Sequence, residues 1–239
     1  MSSSPRLKFI EGAIDTIPLM IGAIPFGIIY GTLSQSSDLS VYGALALSSI
    51  VFAGSSQFVA LGLITSGSSI FIIIVTTFLI NLRHLLYSFS LRQHLSHLPQ
   101  KWKIPLSFGL TDETFAVTIK HYSDINSHDL KHWYFLGSFL FFYLNWQIFT
   151  VVGIIFGSSF PEIKDWGLEF AMSATFIGIV IPYLKSKPMI ITAIVSSTLV
   201  LILKDLPNNL GLIISSIIGI SIGVLLELKL FNSKKKKYD

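Results

Sequence analysis

The residues best equipped for chemistry sit in four short stretches. "NLRHLLY", Asn81 to Tyr87, sets an amide, a guanidinium and an imidazole within four positions, directly after the apolar run "SSIFIIIVTTFLI". "LTDETFA", Leu110 to Ala116, carries the adjacent carboxylates Asp112 and Glu113. "AGSSQF", Ala53 to Phe58, places Gly54, Ser55, Ser56 and Gln57 in a row inside another apolar stretch. "IPFGIIYG" brings Pro25 and Gly27 close together in a third. An imidazole titrates near neutral pH. His84, Asp112 and Glu113 are therefore the candidates for carrying a proton.

Helical spacing sorts these groups onto faces. Asn81, His84 and Ser88 follow one face at i, i+3, i+7, while Arg83 and Tyr87 share the adjacent one. Arg83 can snorkel to the interface, with Tyr87 as a belt residue. It can also turn inward to Asp112 and Glu113, if their segment folds back into the protein. Asn81 can serve a ligand or an interhelical hydrogen bond. An ionisable residue at membrane depth is a functional candidate by default. The four small or polar residues 54–57 fit a broken helix whose freed N–H and C=O groups face a ligand. Close helix packing is the plainer use of such residues. Pro25 removes a backbone donor, so the turn at Pro25–Gly27 is expected to kink or unwind toward a cavity, or to pack as a kinked helix. The substrate-binding candidates are Pro25, Gly27, Gly54, Ser55, Ser56, Gln57, Asn81 and Arg83. Asn145–Trp146–Gln147 interrupt a later apolar stretch, and either line a cavity or bond between helices.

These groups do not add up to an enzyme. No metalloprotease, serine-hydrolase or phosphate-loop pattern occurs, and the histidines do not cluster with further ligands. His94 and His97 read as interface residues, and His121, His128 and His132 as solvated. No metal site and no cofactor are expected. With no nucleotide-binding pattern, transport would run on an ion gradient or be passive.

The elements that position these groups follow from composition. The chain has 239 residues, 51% hydrophobic and 13% charged, with a mean hydropathy of +0.68. Soluble domains carry roughly 25% charged residues, so this chain is a membrane protein forming a single domain. It has no cysteine, which excludes disulfides and thiolate metal sites. Its net charge of +4 owes much to "KKKK" at 234–237, which suits anionic lipid rather than nucleic acid. Glu11 and Asp15 interrupt the part of the N-terminal stretch that a signal peptide would need apolar.

A spanning helix needs ~20 mainly apolar residues. Seven stretches qualify, at about 14–33, 41–64, 68–91, 132–157, 167–184, 188–204 and 208–228. The expected architecture is all-α and polytopic, with about seven transmembrane helices. Arg92, Lys101, Lys103, Lys120 and Lys131 in the long connector, Lys185 and Lys187, and the basic tail 229–239 then share one side. That side is cytoplasmic by the positive-inside rule, with the N-terminus outside and the C-terminus inside. Residues 104–119 of the connector can lie in a loop, re-enter the membrane or cross it. A crossing would move the N-terminus inside.

Two fragments recur in the same order. "GIIYG" at 27–31 is similar to "GIIFG" at 153–157, and "FAGSSQF" at 52–58 to "FAMSATF" at 170–176. They suggest a three-plus-three repeat, about 14–91 and 132–204 joined by 92–131, with a last span at 208–228. Seven spans make that repeat inverted, a plan common in secondary transporters.

Together, "PFGIIYG", "FAGSSQF", "NLRHLLYSFSL" and "LTDETFA" resemble the AzlC family, the larger component of branched-chain amino acid exporters. Order and spacing match over about residues 10–160. The resemblance implies a multi-pass transporter of the bacterial cytoplasmic membrane, exporting amino acids such as Leu, Ile and Val. It also implies a small, separately encoded AzlD-type membrane subunit. A passive channel or pore subunit for small polar solutes is the alternative.

Overall fold

The computed structural model describes residues 4–37, 39–124, 130–159, 177, 181, 184–206 and 210–235, which contain helices and turns but no strand. The "FAMSATF" fragment and most of the expected fifth span lie outside the described residues. Among the described residues, four helical runs are long and apolar enough to cross a membrane: Pro5–Ser36, Ile70–Leu95, Lys131–Ser159 and Leu210–Lys229. Large side chains such as Phe71, Phe78, Leu86 and Phe89 are exposed along the second run, as suits a lipid-facing surface.

Helix α1, Pro5–Ser36, starts at a serine N-cap with proline in its first turn. It runs through Pro18 and Pro25 without interruption, so the expected unwinding near Pro25–Gly27 does not occur. Its main partner is α8, Lys131–Ser159, and the two run parallel. Thr16 donates to the Ser138 hydroxyl (2.7 Å), Asn145 donates to the Met20 carbonyl (3.2 Å), and Thr32 donates to the Gly153 carbonyl (3.1 Å). Contact positions therefore rise together along both helices. Backbones meet at Gly31 and Gly153, where any Cβ would overlap the carbonyls of Thr150 and Ile28. "GIIYG" and "GIIFG" thus lie against each other and point the same way.

The 41–64 stretch does not form a single rod. Helix α2, Val41–Ala46, continues as a π-helical turn, Leu47–Val51, and ends at Phe52 in the left-handed region (φ 44°). This arm runs antiparallel to α8: Ser48 bonds Thr150 (3.1 Å), the Ser49 carbonyl accepts from Tyr143 (3.2 Å), and Phe52 packs on Phe139 and Phe142. Helix α3, Gly54–Thr65, then returns. Phe58 packs edge-on against Tyr30, whose hydroxyl reaches back to the Ala44 carbonyl. The pair is a helical hairpin with its tip at Phe52–Ala53.

Helices α4, Ile70–Asn81, and α5, Arg83–Leu95, form one 26-residue run, about 39 Å long, with only a tightened turn at Leu82. The run ends beside the start of α8, where the His94 ring lies 3.2 Å from Lys131. A second hairpin follows. Helix α6, Gln100–Phe108, climbs alongside α8 from Trp102, which packs on His132 and Trp133, to Phe108, which packs on Phe139. Helix α7, Asp112–Asp124, descends to Tyr122, which bonds the Lys131 carbonyl. Residues 104–119 are thus folded into the protein, with Leu106, Leu110, Thr114 and Thr118 buried.

The hairpins enter from opposite ends, and their tips meet where Phe52 stacks on Phe108 (6.0 Å between centroids). Each hairpin is followed by a long helix leading away from its own end, so 41–95 and 100–159 form the same unit in opposite directions. This inverted pair is offset from the 14–91 and 132–204 division read from the sequence. It also revises the topology up to α8. Seven spans make α8 antiparallel to α1, whereas one long run and two hairpins between them make the two parallel. The α1 N-terminus consequently shares an end with Lys131, and His121 lies 3.7 Å from Glu11 there, not at the opposite end. Helices α9, Lys187–Ile202, and α10, Leu210–Lys235, pack on each other, with Gly219 and Gly223 against Ser196 and Thr192.

Candidate functional site

Two helix N-termini, those of α3 and α7, converge with the Leu82 turn of the α4–α5 run where the tips meet. At α3 no side chain caps the helix, so the N–H groups of its first turn lack helical partners. The missing Cβ of Gly54 leaves room beside Trp146, whose ring edge would stand 3.2 Å from it. At α7 the threonines cap one another: the Thr111 N–H donates to the Thr114 hydroxyl (2.8 Å) and the Thr114 N–H to the Thr111 hydroxyl (3.3 Å). This reciprocal cap frees Asp112 and Glu113, in the first turn, for other partners. Carboxylates are favoured there by the helix dipole. At α5 the first residue is Arg83.

Arg83 ties the hairpins together. One guanidinium nitrogen lies 2.7 Å from Asp112 Oδ2, and the other donates to Ser55 Oγ at 2.6 Å. Tyr87 donates to Asp112 Oδ1 (2.8 Å), and its ring stacks on Phe115 (4.4 Å, 12°). Both Asp112 oxygens are thereby engaged. Arg83 and Asp112 side chains are only 23% and 18% exposed, so Arg83 points into the protein and not to the headgroups.

A cavity of about 300 Å³ opens around this pair. Its polar wall is Ser55, Arg83, His84, Thr111, Asp112 and Glu113, and Leu19, Ala23, Phe26, Phe58, Phe142 and Trp146 are prominent in its apolar wall. Glu113 has no ion-pair partner among the described residues. Arg83 Nε, His84 Nε2 and Trp146 Nε1 are buried without hydrogen-bond partners. Buried polar groups are nearly always satisfied, so these three atoms, all on residues that line the cavity, mark it as the least satisfied polar region around the hairpin tips.

Of the residues singled out in the sequence, Gly54, Ser55, Arg83, His84, Asp112 and Glu113 line this cavity. The others lie behind it. Gly27 packs against Phe149 of α8. Pro25 is on α1 beside the lining residue Phe26. Ser56 donates to Asn81 (2.8 Å), joining α3 to α4. Gln57 is fully buried, with its amide next to the Tyr30 hydroxyl but short of a well-formed hydrogen bond. The amides flanking Trp146 bond between helices, Asn145 to Met20 and Gln147 to the Ser48 carbonyl, while the indole lines the cavity. The apolar wall from α1 and α8 carries no sequence signal beyond that polar interruption.

A second polar cluster lies at the other end of α7. Glu11, Asp15 and His121 offer ligand atoms within 4.8 Å of one another. Lys8 pairs with Glu11 (2.7 Å), Tyr134 donates to Asp15 (2.7 Å), and His121 stacks on Tyr134 (3.7 Å). The cluster is an ion-paired clasp of α1, α7 and α8, and His121 is part of it, not a solvated loop residue.

Known proteins bear on this arrangement. The model of the AzlC protein family matches residues 18–160. Inner membrane protein YgaZ of Escherichia coli is 31% identical over 75% of this chain and 74% of its own length. The branched-chain amino acid transport protein AzlC of Bacillus subtilis is 32% identical over 72% of this chain and 66% of its own. An uncharacterized membrane protein of Archaeoglobus fulgidus is 33% identical over 91% and 95%. No solved structure matches. The matched region runs from α1 to the end of α8 and contains both hairpins and the cavity; the chain belongs to the AzlC family.

Proposed function

We propose that this chain is a secondary transporter that exports branched-chain amino acids across the cytoplasmic membrane, and that the cavity between the hairpin tips is its substrate site. The observation that carries the reading is the pairing of an uncapped helix N-terminus with an acidic one across a half-apolar cavity. Helix N-termini bind carboxylates, so the substrate carboxylate sits at Gly54–Ser55. Its ammonium faces Glu113, and its branched tail lies against Phe26, Phe58 and Trp146. The volume is at the small end of the ~300–1,000 Å³ typical of ligand sites.

Two inverted hairpins meeting at one site support alternating access, since each can open toward its own end while the other stays closed. The end holding Arg6, Lys8, Arg92, Lys101, Lys103 and Lys131 is cytoplasmic under the positive-inside rule, and the basic tail belongs there too. Glu113 or His84 carries the coupling proton. The exposed apolar faces leave room for a small AzlD-type subunit. The test is leucine efflux from loaded proteoliposomes, with and without a pH gradient and with valine and lysine as competitors. Saturable efflux, faster with the gradient and competed by valine alone, is the expected result. Equal rates with and without the gradient would remove the coupling, and competition by lysine as strong as by valine would remove the substrate class.

A further inference from the structure

A second cavity, of about 350 Å³, lies between α5 and α6 over α8, away from the hairpin tips. Its floor is apolar, with Leu91, Leu106 and Phe135 buried beneath it. Its rim carries two cations, Arg92 and Lys103, and no carboxylate among the described residues lines it. Lys103 is oriented by donating to the Ser96 carbonyl (2.7 Å). The Arg92 guanidinium has no hydrogen bond or ion pair with any described residue. A cationic rim over an apolar floor, on the lipid-exposed flank of a membrane protein, complements an anionic head joined to a hydrocarbon chain. Basic pockets between membrane helices take lipid headgroups for this reason. An amino acid fits poorly, because nothing acidic there would receive its ammonium.

We infer that this groove binds the phosphate of an anionic phospholipid between Arg92 and Lys103, with an acyl chain along Leu91, Leu106 and Phe135. The lipid then bridges the end of the central long run and the entering arm of the second hairpin, and stiffens that hairpin against its neighbour.

The test titrates phosphatidylglycerol, phosphatidylcholine or glycerol phosphate into the detergent-purified full chain and reads the midpoint of thermal unfolding. Phosphatidylglycerol should raise the midpoint, and the other two should not. The pair Arg92→Gln and Lys103→Gln should weaken half-saturation by roughly thirtyfold. Lys101→Gln with Lys120→Gln, which removes equal charge outside the groove, should weaken it only a few-fold. Ser107→Trp fills the groove with the cations kept and should also abolish the rise, which serves if the glutamine pair does not fold. Equal weakening by the two pairs would reduce the effect to net charge and overturn the site. An equal rise with glycerol phosphate would make it a free-phosphate site, and an unaltered rise in Ser107→Trp would place the lipid elsewhere.

Discussion

The two hairpins share a plan and differ at the tip. The first reaches its tip through a π-helical turn and a left-handed Phe52, and restarts on Gly54 and Ser55, with no charge and no cap. The second turns at Gly109–Thr111 and restarts on Asp112 and Glu113 under a reciprocal threonine cap. One tip therefore offers bare N–H groups to an anion. The other offers carboxylates to a cation or a proton. Two inverted units with identical tips would present the same charge twice; these present opposite ones, which is what the proposed zwitterionic substrate needs. Arg83, from the long run between them, holds the neutral tip through Ser55 and the acidic tip through Asp112.

The most complete way to break the comparison is topological. If the hairpins enter from opposite ends, both ends of each must be accessible from one side only. The chain has no native cysteine, so single-cysteine variants report cleanly. Tyr42→Cys and Ser66→Cys should react with an impermeant maleimide from one side of sealed vesicles, and Gln100→Cys and Lys120→Cys only from the other. Labelling of Tyr42→Cys and Ser66→Cys from opposite sides would turn the first hairpin into a crossing helix.

Next in size is the link between the tips. Arg83→Ala leaves Asp112 without its cation in a poorly solvated place. Breaking a buried pair from one side costs about 3–5 kcal/mol, visible as a large fall in the unfolding midpoint. Arg83→Gln combined with Asp112→Asn removes both charges and should recover most of that stability but no transport. Recovery of transport as well would mean the pair only holds the fold. Arg83→Lys should keep the fold better than alanine yet transport poorly, because an ammonium cannot serve Asp112 and Ser55 in the same fork.

A glycine at each tip separates room for substrate from room for packing. At Gly109 an added Cβ would fall inside the Phe139 ring, so Gly109→Ala should destabilise by about 1–3 kcal/mol and lower transport only through the loss of folded protein. At Gly54 the added Cβ would stand 3.2 Å from the far edge of Trp146, on the cavity side. Gly54→Ala should keep stability within about 0.5 kcal/mol and raise the leucine KM. Reversed outcomes would exchange the roles of the two tips.

The sequence carried the charged half of this site and missed the apolar half. Arg83, Asp112 and Glu113 are conspicuous because membrane segments rarely carry such residues. Leu19 and Phe26 are not, since an apolar side chain facing a cavity looks the same in sequence as one facing lipid. Ile21, 62% exposed, and Ala23, 7% exposed, are near neighbours on α1. The hairpins were hidden for a related reason. Two half-length apolar helices in succession have the hydropathy of one spanning helix, so 41–64 read as a crossing. The small polar residues after Phe52 marked the break, but the reversal of direction depends on tertiary contacts of Phe52 with Phe108, Phe139 and Phe142. Asn81 and Ser56 drew attention through polarity alone, and their polarity is spent on each other.

That last pair gives the finest test. Ser55 and Ser56 are adjacent hydroxyls on one helix turn, and each makes a hydrogen bond to the α4–α5 run, Ser55 with Arg83 at 2.6 Å and Ser56 with Asn81 at 2.8 Å. Ser56→Ala leaves the half-buried Asn81 oxygen without that donor, at about 1 kcal/mol, and should lower the unfolding midpoint with the leucine KM unchanged. Ser55→Ala frees a guanidinium nitrogen that borders the cavity, where water can replace the hydroxyl. It should cost less stability and shift KM by a few-fold. Because the two variants remove the same atom from neighbouring residues, a KM change in Ser56→Ala and none in Ser55→Ala would move the substrate to the α3–α4 face, away from the meeting point of the two hairpins.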